Sequence, residues 1–242
     1  MAKTNGLNCR LYVEGYDLSG DANALSGLGY TNELLDVTTL DVSARKRIIG
    51  SVDSEMSFDA WFDNAASHQH AIWTSNSGKL PTADQDILIP MGSAVGDQFV
   101  GLIAKEGTYN VARSGGSAIS ATASFSANGS TAEYGEMLTA FDDTHSSASS
   151  GTVVDSGASS SNGGSGYLQV LSLDSGSVTV NLQESTSSGG SYANFMTFST
   201  VAAASAPSAE RLTNTGTVQR YIKVTTTGTF SNAKIVVGFS RS

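Results

Sequence analysis

His68 and His70 are the nearest approach to a metal pair in this sequence. On a strand, residues two apart share a face and could ligate zinc. On a helix they point about 200° apart and cannot chelate one ion. The surrounding DNAASHQHAIWTSNSG reads as a helix, so both histidines are expected to be structural or surface residues. DLSGDAN, with Asp17, Ser19, Asp21 and Asn23, imitates the opening of a calcium loop. Such a loop needs Gly at its sixth position and Glu at its twelfth. This chain has Ala22 and Leu28 there, which leaves a polar turn. GGSG at 163–166 lacks the lysine and the helix of a phosphate loop. Asp142 and Asp143 fall in a Ser-rich stretch where nothing would raise a carboxyl pKa, and His145 beside them has no evident nucleophile and acid. GxSxG is also missing. No catalytic, metal-binding or cofactor-binding residue is therefore expected, and no enzyme. Arg45, Lys46 and Arg47 remain. They are either a solvated loop or a cluster that meets an acidic surface on another copy.

Composition points the same way. The 242 residues allow one large domain or two ordinary ones, either able to bury a core. Charged residues are 14% of the chain, low for a globular protein. The 26 glycines against 3 prolines suit many short strands with polar turns. The net charge of -9 excludes a generally basic, DNA-gripping surface. The single Cys9 permits no internal disulfide and is compatible with a reducing compartment. No apolar signal core opens the chain and no run reaches membrane-span length, so assembly in a cytoplasm and no membrane partner are expected.

The elements that must position these residues are mainly β. The first block, 1–141, holds a polar arm at about 17–53, a helix at about 63–77 and several strands. In the strand at 54–62, Met56, Phe58, Ala60 and Phe62 point one way. Glu55, Ser57, Asp59 and Trp61 point the other. In 117–128, Ile119, Ala121, Ala123, Phe125 and Ala127 form one face, and Ser120, Thr122, Ser124 and Ser126 the other. A strand face made wholly of small polar residues suits a wetted surface. Residues 142–150 read as a Ser-rich linker, and 151–242 as a second all-β block, a small β-sandwich.

YDLSG, DVTTLDVSARKRIIG, SVDSEMSFDAWFD and ISATASFSANGS, in this order and spacing, resemble the major tail tube proteins of long-tailed bacteriophages. The end of the chain, with VTVNLQES and VQRYIKVTTTGTFSNAKIVVGFSRS, resembles the β-sandwich decoration domain appended to many of them. This sequence departs from that pattern in one loop, which has Tyr192 but no Trp. The resemblance implies a tail-tube β-sandwich or barrel with one helix, and six-membered rings stacked into a tube in the virion tail. The arm would reach a neighbouring copy through Asp17, Asp21, Arg45, Lys46 and Arg47. Partners would be further copies, the tape measure and tail terminator proteins, and double-stranded DNA passing without specific binding. Glu55, Ser57, Asp59, Ser120, Thr122, Ser124 and Ser126 would line the bore. Carboxylates and hydroxyls there repel and hydrate a polyanion, whereas each Lys or Arg would add phosphate affinity. A two-domain adhesin or carbohydrate-binding protein using Tyr167, Tyr192 and Asn194 is an alternative, as is a capsid decoration protein.

Overall fold

The computed structural model describes residues 9–75, 78–141 and 143–242. It is nearly all β, as expected, and its strands pair antiparallel. The strands begin with β1 (Tyr12–Val13), β2 (Tyr16–Asp17), β3 (Ala22–Asp36) and β4 (Arg47–Trp61). After helix α1 (Gln69–Trp73) come β5 (Gln85–Pro90), β6 (Gln98–Ala112), β7 (Ser120–Ala127), β8 (Glu133–Met137) and β9 (Thr144–His145). Then follow β10 (Val154–Asp155), β11 (Gly164–Ser185), β12 (Ala193–Thr197) and β13 (Val201–Ala202). The last are β14 (Ser208–Asn214), β15 (Tyr221–Thr227) and β16 (Phe230–Arg241).

Two compact units divide the chain. One comprises 1–20, 85–102 and 133–242; the other comprises 21–84 and 103–132. Their segments alternate along the sequence, whereas the Ser-rich stretch suggests consecutive blocks. Strand pairing is the reason: β8 is hydrogen-bonded to β16, with Met137 opposite Gly238. The stretch read as linker is itself paired. His145 lies opposite Ala233 on β16, and Ser150 bridges Thr225.

The first unit is organised by β11. Its first part, from Gly164 to Val170, lies between β14 and β16. Its last part, from Thr179 to Ser185, pairs with β15, and 181–184 also pair with β12. The two halves contribute to one core: Leu168, Val170, Ile235, Val237 and Phe239 meet Val180, Leu182, Met196, Phe198 and Val224. A second cluster joins Tyr12, Leu88, Phe99, Met137, Tyr167 and Val236.

The second unit is a sheet in the order β3–β4–β7–β6. Alternation buries Met56, Phe58, Ala60, Ala121, Ala123 and Phe125 on one face. Trp73 of α1 covers that face and is fully buried, with its ring 6.5 Å from Phe58 and 6.3 Å from Phe125. The helix is shorter than the expected 63–77. Asp63 Oδ1 accepts the Ala65 N–H in a turn. Ser67 takes a positive φ of 68°, which breaks the right-handed helical run. His68 is therefore an extended N-cap rather than a mid-helix residue. Positions 76 and 77 lie outside the described residues.

Candidate assembly surface

The polar arm expected at 17–53 is largely a long hairpin. β3 and β4 are 15 residues each and pair from Ala22↔Ala60 to Asp36↔Arg47. β7 supports β4 only from Trp61 to Glu55. The pairs from Thr31↔Asp53 to Asp36↔Arg47 therefore project beyond β7. At roughly 3.3 Å per strand residue, the projection is about 20 Å long. Leu34 stands opposite Ile49 and Leu35 opposite Ile48, so adjacent pairs put aliphatic side chains on both faces of the projecting part. All four are exposed, and at the tip Leu40 is fully so. Arg45, Lys46 and Arg47 are exposed on the same projection, beside these apolar residues.

Register gathers the bore-lining candidates on one sheet face. Glu55 lies opposite Ser126, Ser57 opposite Ser124, Asp59 opposite Thr122 and Trp61 opposite Ser120. β6 extends each row: Lys105 is opposite Ser126, Thr108 opposite Ser124 and Asn110 opposite Thr122. Hydrogen bonds cross the face, from Thr122 Oγ1 to Asp59 at 3.1 Å and between Thr108 and Ser124 at 2.6 Å. Sequence reading missed the β6 contribution because a bulge at Glu106/Thr108 shifts the alternation. Among the described residues of these rows, the face carries one cation between Asp53 and Trp61, Lys105. Its Nζ is 2.9 Å from Asp84 and donates to the Thr82 carbonyl at 2.7 Å.

This sheet has two open edges. Among the described residues, β3 pairs only with β4. Beyond Gly107, β6 has β7 on one side and, among the described residues, no strand on the other.

The remaining candidates fall elsewhere. Asp17 is on β2 and ion-pairs with Arg10 at 3.4 Å. Asp21 is buried; it accepts the Gln69 N–H at 3.0 Å and lies 3.0 Å from His68 Nδ1. Asp63 is 3.4 Å from the same nitrogen, so Asp21, Asp63 and His68 are a group able to hold a cation. Their evident work is to tie the start of β3 to the start of α1. His70 turns instead to Tyr109, 2.9 Å from its hydroxyl. Asp21→Ala is expected to cost about 1–3 kcal/mol, because it strips a buried N–H and the histidine of one acceptor. The hydrogen bond that His68 donates to the Asp21 carboxylate raises the His68 pKa. That contribution is present below the ordinary histidine value of 6.5 and is lost as pH rises through the raised one. Denaturant melts of D21A, with an NMR titration showing the His68 pKa falling, check this.

Two further groups escaped sequence reading. Glu106 is buried on the apolar face with, among the described residues, no hydrogen-bond partner on either oxygen, and desolvation pushes its carboxyl up to about 8. In the other unit, His145 Nδ1 is 2.5 Å from Ser149 Oγ and its Nε2 is 3.3 Å from Asp143. That is a serine–histidine–acid order within one short segment. Ser149 also exchanges backbone and side-chain hydrogen bonds with buried Thr226, so the group fastens this segment to β15. Of the sugar-site alternatives, Tyr167 is fully buried with its hydroxyl on Glu133, and Lys223 Nζ sits 4.2 Å over the Tyr192 ring.

No family model matches this chain, and no curated protein matches it in sequence. Solved structures similar in fold include a chain of the virion of a native gene transfer agent particle. The likeness has 16% identity and a TM-score of 0.41, over 53% of this chain and 96% of that one. The SPP1 Dit protein, of the hub adsorption apparatus in phages infecting Gram-positive bacteria, is similar at 10% identity and a TM-score of 0.36, over 96% and 98%. A chain of the phage p2 baseplate in its activated conformation is similar at 10% identity and 0.32, over 97% and 98%. These are likenesses of fold alone.

Proposed function

We propose that this chain is a structural subunit of a phage-type tail whose copies close into rings, with the polar sheet face lining a bore for DNA. The observation that carries the reading is a sheet polar on one face and, among the described residues, open along β3 and along β6 beyond Gly107. β3, β4, β7 and β6 alternate in direction, so β6 and β3 run opposite ways. Rotation about an axis along the strands brings β6 of one copy beside β3 of the next in antiparallel sense. Pairing Gly107–Ala112 with the neighbouring β3 would close a barrel and remove both edges, which otherwise invite aggregation. The apolar face with α1 would then lie outside and the Glu55, Ser57, Asp59, Ser120, Thr122, Ser124 and Ser126 face inside.

The projecting hairpin fits between copies rather than against one surface, since its apolar residues face both ways. Arg45, Lys46 and Arg47 complement a chain with 22 acidic against 13 basic residues. On this reading the rings are six-membered and stack through the hairpin into a tail tube. Tape measure and terminator proteins are the other tail partners, in a virion assembled in the host cytoplasm.

Electron microscopy of the purified protein tests this. Stacked rings or tubes are expected, with Glu55 and Asp59 facing the lumen; discrete trimers or monomers sink the reading. Replacing 33–51 by an Asn-Gly turn should preserve the fold and abolish stacking. Tubes of normal length from that variant would show that the hairpin does not join rings.

A further inference from the structure

We infer that Asp84 is a masking residue, which holds Lys105 of the polar face so that it is not offered to DNA phosphates. The inference rests on the reading of that face as a DNA-conducting lining. Lys105 occupies the row Glu55–Ser126–Lys105. Without compensation it would be the only fixed positive charge between Asp53 and Trp61 among the described residues of that face. Repeated around a ring and along a tube, such a lysine would form columns of cations. Each cation–phosphate contact releases counterions and adds about 0.9 to the slope of log affinity on log salt. Repetition would turn a weak contact into avid retention.

The surroundings hold the ammonium through two oxygens. Asp84 Oδ1 is 2.9 Å from Lys105 Nζ, and the Thr82 carbonyl accepts from the same nitrogen at 2.7 Å. Asn128 Nδ2 donates to Asp84 Oδ1 at 2.8 Å, which fixes the carboxylate in turn. These bonds from Lys105 and Asn128 hold the Asp84 carboxyl below its ordinary pKa, so it is charged wherever the face meets neutral solvent. An exposed ion pair of this kind adds little stability. Its consequence is the charge the face displays. Lys105 and Asp84 cancel, leaving Glu55, Asp59 and hydroxyls to meet the duplex.

The test uses the full-length protein and a fluorescent DNA duplex, with binding read by anisotropy at about 20 mM and about 200 mM salt. Asp84→Asn keeps the shape and frees the lysine. It should tighten duplex binding about tenfold at low salt, with the gain lost at high salt. Adding Lys105→Gln to D84N should return binding to the wild-type level. Asp84→Ser provides the same removal of charge should D84N fold poorly by circular dichroism. Equal binding by wild type and the charge-removal variants overturns the masking role, as does a gain that survives K105Q. Rings or tubes seen by microscopy report separately on the bore, so masking can fail while the bore stands, and the reverse.

Discussion

Gly135→Ala should leave little folded protein at 37 °C, with a loss of about 3 kcal/mol or more against a total stability of roughly 5–15 kcal/mol. A Cβ built on Gly135 would stand 2.3 Å from the Phe239 carbonyl oxygen and 2.5 Å from the Phe99 ring. Neither neighbour can give way. The carbonyl belongs to β16, which is paired with β8 here through Gly238↔Met137 and Phe239↔Glu136. Phe99 is fully buried among Tyr12, Leu88, Met137, Tyr167 and Val236. Its ring also lies against Gly238, where a Cβ would approach to 2.8 Å. Phe99 therefore rests on two glycine surfaces of adjacent strands, and a methyl at Gly135 must displace either the ring or the strand. Gly189→Ala is the control, since a Cβ there meets nothing within 4 Å. Its effect should stay within about 0.5 kcal/mol. Urea melts of both variants decide the matter. A midpoint for G135A equal to that of the wild type would show that the packing described is not rigid.

The polar face was legible because it obeys the strand period without interruption. Glu55, Ser57 and Asp59, and Ser120 through Ser126, alternate strictly, and pairing then sets one row opposite the other. The hairpin was not. β3 departs from regular register between Ala22 and Ala24, Leu25 and Gly27, and Asn32 and Leu34. Its apolar residues therefore lose the period of two, and the segment reads as polar turns. β6 was truncated in the same way at its bulge. The helix was overextended because composition does not reveal that Ser67 adopts a positive φ. His145 was misplaced by composition as well. A Ser-rich segment resembles a linker, yet its hydroxyls can satisfy one another and the backbone of β15 when a long-range pairing holds them there. Long-range pairing also decides that β8 belongs with β16, which no local pattern encodes.

Glu106→Gln should make the protein more stable than wild type in alkali and remove most of a pH dependence that the wild type shows between about 5 and 8. In the fold the Glu106 carboxyl titrates at about 8, against 4.5 for a free one. Burial disfavours the charge, and neither oxygen has a partner among the described residues. Below about 4.5 the group is protonated in folded and unfolded chains alike, and its full contribution is present. Between the two values the unfolded chain releases the proton while the fold keeps it, so stability falls by about 1.4 kcal/mol per pH unit at most. Above about 8 the loss is complete, several kcal/mol and at most about 5 kcal/mol. Glutamine has the same shape and no proton to lose. It still buries an unsatisfied polar group, so E106Q should match or slightly trail the wild type at about pH 5 and exceed it at about pH 9. Denaturant melts at about pH 5, 7 and 9 read this directly, and parallel profiles for the two proteins would sink it. On the proposed ring assembly, the consequence would extend to the contact between copies because of where the residue sits. Glu106 immediately precedes Gly107–Ala112, the segment proposed to pair with the next copy, and Tyr109 within that segment packs on Trp73 in the same core. Ionising Glu106 loosens β6 at the bulge, so ring formation by the wild type should weaken as pH rises through about 8 while that of E106Q does not. If copies pair through β6 as proposed, a buried acid with no hydrogen-bond partner among the described residues would tie that edge to the protonation state of the core beneath it.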